Sequence, residues 1–263
     1  TPAKTVSCVI NEKFSGRTAP QIKRTDYRRQ SLRPIVNLAF ILPWVLLYEI
    51  GMVFWPDGSL RSGLDQWLFH LVGQFGIGQP VVLPLLTLTT LLVWHHRSGD
   101  AATFSLKTIG SMFLETVGLG VLLFVAASAV LLGMAGEAPG TGAGLLDLLM
   151  EPESCGRLVS CLGTGIYEEL IFRVVLFLPL LNGLRVHFRS AVAPTILATI
   201  VTSLLFAILH YDIINPAGES LHGVSFLFRF LGSSVLCLLF RYRGFAIAVG
   251  VHVVFDVLML TTI

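Results

Sequence analysis

Charge is what this chain has least of. Asp, Glu, Lys and Arg make up 13% of its 263 residues, against roughly 25% in a soluble domain. Hydrophobic residues make up 54% and the mean hydropathy is +0.78. That composition excludes an ordinary water-soluble globule and places the chain among membrane proteins. The net charge of +2 comes from basic residues scattered between apolar runs. No Lys/Arg-rich block with interleaved aromatics occurs, so nucleic-acid binding is set aside. Cys8, Cys155, Cys161 and Cys237 form no CxxC pair and no Cys/His cluster. They read as small residues of a membrane interior rather than as a thiol or metal site. There is no HExxH, no glycine-rich phosphate loop and no internal repeat.

What is there is a series of long apolar runs, at about 34–54, 80–96, 110–134, 158–182, 191–210, 222–241 and 244–263. Each is near the roughly 20 residues that a bilayer requires. The reading is an all-α polytopic membrane bundle of about seven transmembrane helices. Interior prolines (Pro43, Pro84, Pro179) are tolerable because neighbouring helices satisfy freed backbone groups. Residues 1–33 are polar and basic, without apolar periodicity, and read as a mobile tail outside the membrane. Residues 34–263 then form one membrane domain. Residues 58–78 read as a short interfacial helix, and 136–157 as a glycine-rich loop continuing into an amphipathic piece, Leu145 to Met150. The chain begins at Thr1, which leaves open a segment before it.

Seven spans sort the loops by charge. One set holds Lys23 to Arg33, Arg97, Lys107, Arg185, Arg189, Arg241 and Arg243. The other holds only Arg61 and Arg157 among basic residues, with most of the loop acids. The positive-inside rule puts the N-terminus in the cytoplasm and the C-terminus outside, as in a multi-pass protein of the cell's inner membrane.

Against this background Ile166-Tyr167-Glu168-Glu169-Leu170-Ile171-Phe172-Arg173 stands out, because two acids and an arginine sit where lipid favours Leu and Val. A charge at mid-bilayer costs roughly 2.5–3.5 kcal/mol on insertion scales. On an α-helix Glu168 and Glu169 project about 100° apart, too far to serve one contact. Glu169 and Arg173, four apart, share a face in the acid-first order, so Arg173 braces Glu169 and leaves Glu168 free as a general base. Two later runs add His210, and His252 with Asp256 four residues on. Asp256 is expected to accept from one imidazole nitrogen and aim the other at a shared polar cavity. The set can activate water and stabilise an oxyanion, or hold a metal through two His and a Glu.

Glu168-Glu169-x-x-x-Arg173, Phe206-x-x-x-His210 and His252-x-x-x-Asp256, in order on separate apolar segments over residues 158–263, resemble the three motifs of the CPBP intramembrane proteases. This is the CAAX prenyl-protease and bacteriocin-processing family, also called Abi. The resemblance implies a helical bundle enclosing a cavity, and endoproteolysis of a membrane-associated peptide or protein. It implies that Glu168 activates water with His210 as partner, that His252 and residue 256 form the oxyanion site, and that Glu169 with Arg173 supports them. The family often has Asn where this chain has Asp256. A metal-free glutamate mechanism is preferred; the alternative is zinc held by Glu168, His210 and His252.

Two other functions compete. The same acids could form the path of a proton-coupled transporter, but no inverted repeat or paired broken spans support it. A catalytically inactive immunity or scaffold protein of the same fold would not need the full Glu–His–His set. Glu49 and Glu115 read as structural acids, and Arg229 either pairs with one of them or touches a substrate's carboxyl terminus. His95 and His96 read as interfacial, and His222 as a weak additional candidate. Glu168 near mid-bilayer and His210 near the outer face imply a cavity that opens outwards.

Overall fold

A computed structural model describes residues 27–54, 79–100, 103–135, 152–212 and 218–261. Among these residues every regular element is a helix: α1 (Pro34–Phe54), α2 (Gln79–Ser98), α3 (Leu106–Ala135), α4 (Pro152–Glu169), a π-helix (Leu170–Phe177), α5 (Leu178–Arg185), α6 (Val192–Leu209), α7 (Gly223–Arg243) and α8 (Phe245–Leu260). Helices satisfy their own backbone groups, which lipid cannot do. Three of them are long and apolar enough to cross a membrane: α1, Leu106–Gly133 within α3, and α7. Val192–Ile208 and α8 are apolar but shorter. The interfacial helix expected at 58–78, the loop expected from 136 and the tail before residue 27 lie outside the described residues.

The fourth apolar run differs from the single span its hydropathy predicts, because it is α-helical, then π-helical, then α-helical. At its end the N–H of Leu178 donates to the carbonyl of Arg173, five residues back. Pro179 follows, and proline has no N–H with which to hold the α register. π turns are rare and concentrate at functional sites.

α8 is the buried axis of the bundle. It packs against α1, α3, α4 and α7, and all nine residues from Phe245 to Val253 are buried. A helix that is hydrophobic all round belongs inside. α3 instead turns Leu114, Leu122 and Val125 outward, as a lipid-facing helix does. Close approach between α4 and α8 depends on Gly165, where a Cβ would meet Val253 Cγ2 at 2.4 Å. Gly250 serves the contact with α3 in the same way, against Thr116 Cγ2 at 2.5 Å. Small residues at such crossings let helix backbones approach each other.

Polar groups fix the ends of this packing. Buried Asn37 accepts from the Ala246 N–H at 2.7 Å and donates to the Arg33 carbonyl at 2.8 Å, so α1 caps the first turn of α8. Residues 27–33 correct the tail reading, since 27–31 form a helical turn and Ser31 is fully buried. Tyr27 donates to Glu115 Oε2 at 2.5 Å, and Thr108 donates to Gln30 at 2.7 Å. Glu115 also takes Arg243 through both oxygens at 2.6 Å each. A hydrophobicity pattern cannot register such a segment, because polar bonds rather than apolar burial hold it.

Candidate active site

Helix geometry brings the ionisable residues of three separate runs together. The last turn of α4 supplies Glu168 and Glu169, His210 is the residue that ends α6, and the middle of α8 supplies His252. Glu168, Glu169, Arg173 and His252 are all buried.

His252 is the hub. Its Nδ1 lies 2.9 Å from Glu169 Oε1, and since a carboxylate accepts, the ring N–H donates. Its Nε2 faces Glu168 Oε2 at 3.9 Å and Asp256 Oδ2 at 3.6 Å. Two expectations are corrected here. Glu169, not Asp256, orients the ring, because the α4–α8 contact reaches Nδ1 while the i+4 acid on the same helix reaches only the Nε2 side. Glu168 and Glu169 also both face one residue despite their divergence, because an imidazole offers a nitrogen on each side.

Glu169 is held from behind by Arg173, with Nε 3.0 Å from Oε2 and both side chains fully buried. This is a charge contact rather than an aligned hydrogen bond, since neither atom makes one. Arg173 Nη2 donates to the Ser233 carbonyl at 3.4 Å. The guanidinium lies 5.4 Å from the ring centroid of Phe206, within cation–π range. Phe206 in turn stacks at 4.6 Å on His210. The motif marked Phe206 only by position, and its part as a spacer between Arg173 and His210 needed coordinates.

His210 Nδ1–H donates to the Phe206 carbonyl at 2.7 Å, which fixes the ring and turns Nε2 towards Glu168 Oε1, 3.6 Å away. Glu168 therefore lies between two histidines, each too far for a direct hydrogen bond. Its Oε2 is buried and has no hydrogen-bond partner among the described residues. It borders a cavity of about 570 Å³ shared with Thr164, Phe206, His210, Arg229, His252 and Asp256. Thr164, one turn before Glu168, carried no signal in the sequence beyond that spacing.

Of the other candidates, Arg229 lines this cavity and the rest lie elsewhere. Glu49 accepts from Tyr167 at 2.6 Å, and Glu115 belongs to the Tyr27–Arg243 cluster. Arg229 pairs with neither; its Nη2 donates to Glu219 at 2.7 Å, a loop acid that the span-by-span reading did not connect to it. His222 is exposed and lies 2.9 Å from the Ser220 carbonyl through Nδ1. His95 and His96 lie in the last turn of α2, away from this cavity. As for a metal, Glu168, His210 and His252 do not close into a ligand shell as they stand. Among the described residues no group of three or more His, Cys, Asp or Glu is arranged to hold an ion.

A buried acid with a free oxygen, two oriented imidazoles and a cavity are what general-base attack of water on a carbonyl requires. Residues 154–258 match the Rce1-like family, described as type II CAAX prenyl endopeptidase Rce1-like. Comparison with curated proteins and with solved structures gave no match.

Proposed function

We propose, from the match of residues 154–258 to the Rce1-like CAAX prenyl endopeptidase family, that this protein is an intramembrane endopeptidase in which Glu168 activates the attacking water. The observation that carries the reading is Glu168 Oε2, a buried carboxylate oxygen of a cavity-lining residue with no hydrogen-bond partner among the described residues. Burying such an atom unsatisfied costs about 1–3 kcal/mol or more, so a partner from the cavity is expected.

In this mechanism a water lies against Glu168 within reach of His210 Nε2. Glu168 takes its proton as the oxygen bonds to the scissile carbonyl carbon. The carbonyl oxygen gathers the negative charge opposite His252, whose ring Glu169 and Arg173 hold in place. When the carbon–nitrogen bond breaks, Glu168 returns the proton to the leaving amine. Each of these steps uses only the chain's own groups, and a metal chelator leaves the activity in place. Asp256 adjusts the His252 side of the site rather than donating to the oxyanion, since an ionised carboxylate has no proton to give.

The substrate is a membrane-associated peptide or protein, and the enzyme spans the inner membrane with its N-terminus in the cytoplasm and its cavity open to the outside. Cysteine reagents added from outside then label position 219 and spare position 187. Labelling of 187 alone reverses the assignment. The reaction is tested by comparing membrane peptides that accumulate in cells carrying Glu168→Gln with those in wild-type cells. If no membrane-anchored or secreted protein changes its processing while the variant inserts normally, the endopeptidase reading fails.

A further inference from the structure

One cation of the cavity has no task in this mechanism. Arg229 lies on the second turn of α7 and lines the cavity that holds Glu168, His210, His252 and Asp256. Its Nη2 donates to Glu219 Oε1 at 2.7 Å, and its guanidinium carbon stands 5.9 Å from the centroid of the Tyr211 ring. Its Nε is buried and makes no hydrogen bond among the described residues.

A guanidinium is permanently charged and planar, and two neighbouring N–H groups match the two oxygens of one carboxylate. Glu219 occupies one of those positions only. The Glu219 side chain is 62% exposed, so water competes with Arg229 for it and the pair is weakly held. The carboxylate nonetheless has a fixed origin. The Glu219 N–H donates to the His210 carbonyl at 3.1 Å, and its own carbonyl accepts from the Asp212 N–H at 3.0 Å. Besides the two histidines, the other ionisable residues lining the cavity are Glu168 and Asp256, which repel an anion. Arg229 offers this cavity a permanent positive charge.

Building on the endopeptidase reading, we propose that Arg229 binds the free C-terminal carboxylate of the substrate, displacing Glu219 and engaging both Nε and Nη2. Glu219 is then a stand-in that keeps the guanidinium paired between substrates. The residue determines specificity: it selects chains cut near a free terminus over internal segments of the same sequence.

The test uses purified protein in detergent and a farnesylated peptide in which the cysteine is followed by two aliphatic residues and Met, made as the free acid and as the amide. Wild type is expected to cleave the acid with at least tenfold higher kcat/KM, mostly through KM. Arg229→Gln is expected to abolish the preference by slowing only the acid, Arg229→Lys to restore part of it, and Glu219→Gln to lower KM for the acid more than for the amide. Equal cleavage of acid and amide by wild type overturns the carboxylate assignment and leaves the protease standing. Persistence of the preference in a monodisperse Arg229→Gln protein overturns the role of Arg229. Cleavage of neither peptide by folded wild type overturns this proposal, and together with unchanged membrane-protein processing in Glu168→Gln cells it overturns the protease reading as well.

Discussion

Two acids in this molecule sit within apolar helices and have been put to opposite uses. Glu115 receives Arg243 on both oxygens and Tyr27 on one of them, at 2.5–2.6 Å. Glu168 receives no bond on Oε2 and faces its two histidines at 3.6 and 3.9 Å. The first acid is finished: both of its oxygens accept hydrogen bonds, and the arrangement ties the residues before α1 to α3 and α7. The second is left open beside a cavity. In low dielectric a hydrogen bond is strong and its absence costly, so the first arrangement suits scaffold and the second suits the general base proposed above.

The comparison breaks first at Glu168. Glu168→Gln keeps the shape and removes the base, and a loss of about 10²–10⁴-fold in cleavage rate is expected. The melting temperature should hold or rise; a variant that unfolds instead would mean Glu168 is scaffold too. Next comes Glu169→Gln, which strands Arg173 in the interior. Removing one partner of a buried pair costs roughly 3–5 kcal/mol, read as a large drop in thermal stability in detergent. Glu115→Gln weakens hydrogen bonds to a charged group, worth about 1.5–3 kcal/mol. Activity per folded molecule should not change, and a selective loss of activity would erase the distinction drawn here. The smallest effect belongs to Asp256→Asn. It retains the polar contact at 3.6 Å from His252 and installs the Asn that the CPBP family resembled by the motifs often has there, so cleavage should stay within about tenfold of wild type (~1.4 kcal/mol).

Much of the site could be read in advance, for a physical reason. Lipid penalises every ionisable side chain, so Glu168, Glu169, Arg173, His210, His252 and Asp256 stand out from their apolar surroundings without coordinates. Hydropathy likewise located the helical runs. What stayed hidden is whatever depends on the orientation of one helix against another. Glu169 reaches His252 only because α4 and α8 meet at Gly165. Arg229 reaches Glu219 because the chain returns from α6 to α7 beside its own starting point. The π-helix was invisible because apolar periodicity reads Leu170–Phe177 as ordinary helix, and the capping of α8 by Asn37 joins residues 209 positions apart.

The enclosure of α8 also bears on when, during synthesis, the site around His252 is complete. His252 arrives on the helix that follows every other described element in chain order, and that helix fills the centre of the bundle. A growing chain that has delivered Glu168, Glu169 and His210 to the membrane still lacks both the hub residue and the core around it. On the endopeptidase reading proposed above, the half-built chain is therefore inert, and the ability to cut comes only with completion of the fold.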